Sequence, residues 1–286
     1  MSNFFKTVFL LSGLTLLLVF FGRLVGGPNG MMAAFFFACV MNLGAYWWSD
    51  KLVLAAYRAK PLSEAEAPEV HAMVSELAAQ AGIPKPCIYL IPSAAPNAFA
   101  TGRSPKHAAL AVTQGIFEAL NQEELKGVLG HELGQVLNRD ILIASIAATL
   151  AGAISMLASM LRWGLMTGSM RRNDREEGGA HPLVLFVSAI IIPFAAMLIQ
   201  LAVSRSREFG ADETGARLCG NPLYLASALG RLEAASKKTF LHQADPSSAH
   251  LFIVNPLKPD LFAKLFSTHP PMSERIARLE RMAGGR

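Results

Sequence analysis

The chain is poor in charge. Asp, Glu, Lys and Arg make up 16% of its 286 residues, against about 25% in ordinary soluble domains. With 52% hydrophobic residues, that shortage argues against a plain aqueous globule. Low-complexity runs are missing, and so is the polar bias of a disordered chain. Only three cysteines occur, Cys39, Cys87 and Cys219. They are far apart, odd in number and form no C-x-x-C pair. A disulfide framework or a cysteine-rich zinc site is therefore disfavoured, and a reducing compartment is the simpler reading. Lys and Arg number 26 against 21 acids. No basic face with interleaved aromatics emerges, so nucleic acid is not an expected partner.

What the chain does have is long apolar stretches. Four of them approach the roughly 20 residues a bilayer crossing needs. They are residues 4–23, 31–49, 141–161 and 182–203. The first lies between flanking cations, with Lys6 near its start and Arg23 at its end, and such side chains can snorkel. A cleaved leader is the other reading of it, but no small-x-small site follows. The second ends in Tyr46, Trp47 and Trp48, an aromatic belt of the kind found at a membrane interface. The third carries no charge, and Pro193 is expected to kink the fourth. Lys6, Lys51, Arg58, Lys60, Arg205 and Arg207 flank the spans on one side, which predicts a cytoplasmic N-terminus and cytoplasmic polar segments. The loop with Arg162, Arg171, Arg172 and Arg175 runs against that rule.

The polar sequence falls into two halves, 61–140 and 204–286, separated by an expected membrane hairpin. Ser63 and Glu66 read as a capping box, with Val70, Met73, Val74 and Leu77 giving the apolar stripe of a helix. Residues 87–91 and 108–113 read as strands, and 97–102 as an edge strand or loop. Asn121 with Glu124 opens a second helix that runs to Asn138. Gly127, Gly130 and Gly134 lie inside it at a cost of about 1 kcal/mol each relative to Ala. Their smallness predicts close backbone packing or access to a site. Helices are also expected from Ser204 to Leu218, from Asn221-Pro222 to about Lys238, and from Pro271 to Met282.

His131-Glu132-Leu133-Gly134-Gln135 sits in that second helix. The H-E-x-x-H pattern sets two His one turn apart as zinc ligands, with the Glu beside them as general base. Here Gln135 stands at the second His position. Other segments accompany it in order: Asn97-Ala98-Phe99-Ala100-Thr101-Gly102, Asn138-Arg139-Asp140, Ser204 to Asp212, and Ser267-Thr268-His269-Pro270-Pro271. The set, with apolar spans before and between its members, resembles the HtpX family of membrane-bound zinc metalloproteases, relatives of the CAAX prenyl proteases. The resemblance covers essentially the whole chain. It implies one Zn2+ per chain, with His131 as first ligand, position 135 as second and Glu208 as third. It implies Glu132 as the general base. Asp212, one turn beyond Glu208, would orient a ligand by hydrogen bonding. His269 matches a family signature and would either stabilise the oxyanion or simply be a helix-entry His held by its prolines. Asn97, Ala98, Phe99 and Ala100 resemble the strand on which zincins lay their substrate.

The spacing adds a separate argument. His131 lies ten residues before Ile141, about 15 Å if the helix is continuous, and Glu208 lies five residues after Val203, about 8 Å. The His and both carboxylates are then expected near the cytoplasmic membrane surface. Gln135 offers zinc only a neutral amide oxygen. Three accounts of it stand open: a substitution made to stop self-digestion, a natural non-catalytic relative, or a site holding zinc weakly through His131 and Glu208.

The expected fold is a mainly α membrane protein, with four transmembrane helices and a zincin-like α+β metalloprotease domain split by a membrane hairpin. The expected location is a multi-pass bacterial inner membrane, with the catalytic domain cytoplasmic. The expected partners are membrane-protein substrates and the lipid bilayer. The expected activity is zinc-dependent endoproteolysis in protein quality control, impaired in this chain by Gln135. The rival is a non-catalytic membrane scaffold that binds unfolded membrane segments.

Overall fold

The computed structural model describes residues 3–147, 205–236, 251–254 and 270–285. The expected span at 182–203, most of that at 141–161, the arginine loop between them and His269 lie outside the described residues. The chain is mainly helical, with one mixed four-stranded sheet.

Helix α1 (Asn3–Ala56) is a single helical element carrying Pro28, but it is not straight. Asn42 Nδ2 donates to Thr15 Oγ1 at 2.9 Å. Twenty-seven residues of straight helix would hold these groups about 40 Å apart. The chain doubles back near Gly27, whose φ is +58°, a conformation that costs Gly no steric strain. Gly22 and Gly30 face each other across the reversal, where an added Cβ on either would collide with the other's carbonyl oxygen. The two apolar arms thus share one element. Among the described residues, only Gly27–Ala56 is long and apolar enough to cross a membrane; Leu11–Phe20 is a shorter apolar piece. Met32, Phe35, Phe36, Phe37, Val40 and Leu43 are exposed on it, an apolar surface that water alone would not favour.

Toward its end α1 enters the polar domain. Val53, Leu54 and Tyr57 are buried against Phe99 and Phe252, and the Tyr57 ring meets Phe252 edge-on at 4.9 Å. Helix α2 (Pro68–Ala81) begins later than the capping box implied. Ser63 does bond Glu66 through backbone and hydroxyl, but the pair closes a turn, and Pro68 at the first helical position starts the helix. Proline there has its φ already set and gives up an N–H that would lack a helical partner anyway. Gly82, left-handed at φ +65°, ends it.

The strands are β1 (Lys60–Pro61), β2 (Cys87–Ile91), β3 (Ala98–Gly102) and β4 (Ala108–Thr113). Their order is β1-β2-β4-β3, with β2 and β4 parallel and β3 antiparallel to β4. That makes β3 an edge strand. A short helix α3 (Gln114–Ala119) follows, then α4 (Gln122–Leu137), where Asn121 and Glu124 close both arms of a capping box. Contrary to the spacing estimate, α4 does not continue into the apolar stretch. Arg139 adopts φ +59°, which breaks the helix, and residues 141–147 form a separate helical run. Helices α5 (Arg205–Cys219), α6 (Pro222–Ser236) and α7 (Met272–Gly284) complete the described structure. One core joins α2, α4, α6, α7 and the sheet through Leu77, Leu110, Leu129, Leu133, Leu229 and Leu279.

Candidate active site

Small residues bring α4 and α5 together. A Cβ on Gly215 would stand 2.5 Å from the His131 backbone nitrogen, and one on Gly134 would stand 2.8 Å from the Ala211 carbonyl oxygen. The glycines inside α4 thus serve backbone approach. On α5, Glu208 and Asp212 are four residues apart and share a face; the close crossing sets that face against His131. Asp140, just past the α4 break, lies 3.6 Å from Arg207 Nε and ties the break to the start of α5.

The result is a buried polar cluster. His131 and Glu132 are fully buried, and Glu208 and Asp212 nearly so. His131 Nδ1 lies 2.8 Å from Asp212 Oδ1, so Nδ1–H donates to the carboxylate and Nε2 faces the other way. Nε2 stands 3.8 Å from Glu208 Oε2 and 3.1 Å from Gln135 Nε2. An amide can donate to this nitrogen or, turned over, accept from it; Gln135 therefore partners the ring in either protonation state. Burial pushes the His131 pKa down, but the Asp212 hydrogen bond, helped by the charges of Asp212 and Glu132 and opposed by Arg275, leaves it raised.

Glu132 Oε2 accepts the Ala100 N–H of the edge strand at 2.8 Å. Among the described residues nothing hydrogen-bonds its other oxygen. Burial raises its pKa from the ordinary value to about 7, with the His131 charge opposing and the Glu208 charge adding to the rise. A carboxyl poised near neutrality suits proton transfer in both directions.

One member of the cluster was missed in the sequence. Arg275 of α7 is fully buried and binds Asp212 in a fork, Nε to Oδ2 at 2.9 Å and Nη2 to Oδ1 at 2.6 Å. Its Nη1 lies 3.6 Å from Glu208. The signal was available: Met272, Ile276, Leu279 and Met282 make the apolar stripe of α7, and Arg275 sits on that stripe. A charge on the buried face of an amphipathic helix demands a partner.

Do these residues suit zinc? His131 Nε2 and Glu208 Oε2 are close enough to share one ion, given ligand distances of about 2.0–2.2 Å. Asp212 holds the ring in the tautomer a ligand needs. Three buried carboxylates, Glu132, Glu208 and Asp212, gather here, with the Arg275 guanidinium on Asp212 and the Arg207 charge near Glu208. Among the described residues, no three His, Cys, Asp or Glu side chains converge as a complete ligand set; Gln135 stands in the third place. The cluster suits zinc with two strong ligands and one weak one.

The edge strand is less open than its place in the sheet suggests. Ala98 O accepts from Ile253 N at 3.4 Å, Ala100 N is taken by Glu132, and Gly102 N donates to Ser145 Oγ at 3.2 Å. Asn97 donates to the Val254 carbonyl oxygen at 2.8 Å. Phe99 packs under Phe252, with ring centroids 5.2 Å apart.

Residues 64–283 match peptidase family M48. The chain belongs to that family. It is 56% identical over 282 residues to a protein named Protease HtpX homolog from Syntrophobacter fumaroxidans, covering 99% of this chain and 100% of the relative. It is 52% identical over 284 residues to Protease HtpX of Legionella pneumophila subsp. pneumophila, covering 99% and 100%. A homolog from Pyrococcus furiosus is 50% identical over 278 residues, covering 97% and 95%. The fold is similar to that in the crystal structure of S. mikatae Ste24p, with TM-score 0.52 at 18% identity, covering 97% of this chain. This chain spans 65% of that protein's length. Members of the M48 family are zinc-dependent metalloproteases, and this chain is a membrane metalloprotease of that family.

Proposed function

We propose that the chain is a zinc endopeptidase acting on membrane proteins, damaged or misassembled ones, at the cytoplasmic surface of a multi-pass membrane domain, with its rate lowered by Gln135. The observation that carries this reading is the convergence of His131, Glu208 and Asp212 around a Glu132 whose second oxygen has no partner among the described residues. His131 and Glu208 would hold one zinc, with the Gln135 amide oxygen as a weak third donor. Bound there, zinc supplies positive charge that polarises the scissile carbonyl and acidifies water. Glu132 takes the proton of the attacking water and passes it to the leaving amine. Asp212 keeps His131 oriented, and Arg275 keeps Asp212 ionised. His269, just before α7, is assigned to the oxyanion. A substrate strand on β3 would compete with Leu251–Val254 for Ala98 O and with Glu132 for Ala100 N–H. Four membrane spans, at 4–23, 31–49, 141–161 and 182–203, complete the proposal.

The second reading, a non-catalytic scaffold for unfolded membrane segments, draws on the Gln135 contact that occupies His131 Nε2. Proteoliposomes separate the two. Gln135→His should cleave a destabilised membrane protein in a zinc-dependent way, with Glu132→Ala in the same background inert. The unaltered chain should be slower by more than the 10–100-fold that losing support for a ligand costs. Binding of the substrate without cleavage by Gln135→His would favour the scaffold.

A further inference from the structure

Trp47 and Trp48 mark a boundary along α1. Phe35, Phe36, Phe37, Val40 and Leu43 are exposed before it, while Val53, Leu54 and Tyr57 are buried in the polar domain after it. Between them Trp47 and Trp48 are exposed, 49% and 55%. Aromatic rings in that position mark the depth of lipid headgroups. The loop that follows β3 returns to this level. Arg103 comes directly after Gly102, and its guanidinium carbon lies 4.5 Å over the Trp47 ring. Between loop and helix is a cleft of about 480 Å³, lined by Trp47, Trp48, Asp50, Lys51, Arg103 and His107. Lys106 stands exposed on the same loop. Among the described residues, none of Lys51, Arg103 and Lys106 takes part in an ion pair. Two cations, Lys51 and Arg103, and one acid, Asp50, thus line the cleft beside two tryptophans, with Lys106 on the adjoining loop.

We propose that this cleft binds the phosphate of an anionic phospholipid. Arg103 and Lys51 take the phosphate oxygens, a role for which the planar fork of Arg is suited. Trp47 and Trp48 lie against the glycerol and upper acyl chains. The cleft volume is in the range of small-ligand sites. The proposal rests on the reading that α1 lies in the bilayer. Its consequence reaches the active site, because Arg103 is three residues from Ala100, whose N–H holds Glu132. A bound headgroup fixes the level of β3 relative to the membrane.

The test uses the full chain with Trp163→Phe, so that Trp47 and Trp48 alone report, in vesicles of phosphatidylcholine doped with brominated lipid. Brominated phosphatidylglycerol should quench their fluorescence more strongly than brominated phosphatidylcholine at equal mole fraction. Each of Arg103→Gln and Lys51→Gln should lower the phosphatidylglycerol preference by about fivefold, the factor for about 1 kcal/mol per interfacial cation. An unchanged unfolding midpoint shows that a variant is folded, and the exposed Lys51 serves if Arg103→Gln is not. Equal quenching by both lipids leaves α1 in the bilayer and overturns the headgroup site. Displacement of brominated phosphatidylglycerol by millimolar inorganic phosphate overturns it too, in favour of a free anion. Quenching by neither lipid overturns the membrane seat and the site together.

Discussion

Replacing Arg275 with Met tests the buried cluster through its least expected member. The substitution keeps most of the side-chain volume and removes the guanidinium that grips Asp212, at 2.9 and 2.6 Å. Two charge-assisted hydrogen bonds vanish, and Asp212 is left buried without the guanidinium that held it. Breaking a buried pair from one side costs about 3–5 kcal/mol. For a chain of this size that lowers the thermal midpoint by on the order of 10 °C. The assay is thermal unfolding in detergent with chelator, at several pH values. Burial pushes the Asp212 pKa up, but the Arg275 charge and hydrogen bond, with those of His131, leave it lowered. A lowered carboxyl stabilises the fold above its unfolded pKa, and that stability is lost as pH falls through the folded value. The gap between parent and Arg275→Met should therefore be full at neutral pH and shrink in acid. Arg275→Met combined with Asp212→Leu should be less damaging than Arg275→Met alone, because the carboxylate that the guanidinium gripped is no longer left buried without it. A midpoint unchanged by Arg275→Met at neutral pH would refute the reasoning, as would a double variant that loses the sum of both singles.

Two further outcomes follow from the same chemistry. Burial pushes the Cys219 thiol up to about 12, and it donates to the Lys126 carbonyl oxygen; Cys87 is exposed. At pH 8 an alkylating agent should label Cys87 in the folded chain and reach Cys219 only on unfolding, as peptide mass spectrometry will show. Equal labelling of both would contradict this burial. In the metal-free chain Glu132 has its pKa raised to about 7, so its favourable contribution is complete in acid and declines as pH rises through 7. Glu132→Gln should therefore stabilise the fold above pH 8, by up to about 3 kcal/mol, raising the unfolding midpoint there and leaving it unchanged near pH 4. A midpoint equally raised at both pH values would contradict that assignment.

Local chemistry was the most legible part of this sequence. The Asn121–Glu124 box marks the start of α4 because both arms lie within four residues. Strands β2 and β4 show as short apolar runs between turn residues. The glycines of α4 announced a close crossing, which is that with α5. The motif residues His131, Glu132, Gln135, Glu208 and Asp212 come together for the same reason. What was less legible depended on tertiary context. Ser63 and Glu66 form their contacts but lose the helix start to Pro68. The break after Leu137 rests on a left-handed Arg139, which no local propensity signals. Arg275 belongs to no motif, and only its place on the apolar stripe of α7 marks it as buried. The cover over β3 comes from Leu251–Val254, more than 150 residues away in sequence, and periodicity says nothing about such a pairing.

The central claim is a metalloprotease site weakened at one ligand. It is tested most directly by elemental analysis of zinc in the purified full chain and in Gln135→His, prepared side by side in detergent, with proteolysis recorded on both. The account predicts near one zinc per chain and cleavage for Gln135→His, with markedly less of each for the unaltered chain. If both preparations hold no zinc and cleave nothing, His131 and Glu208 do not form the metal site. If both hold one zinc and cleave at the same rate, Gln135 is not the weakness assigned to it.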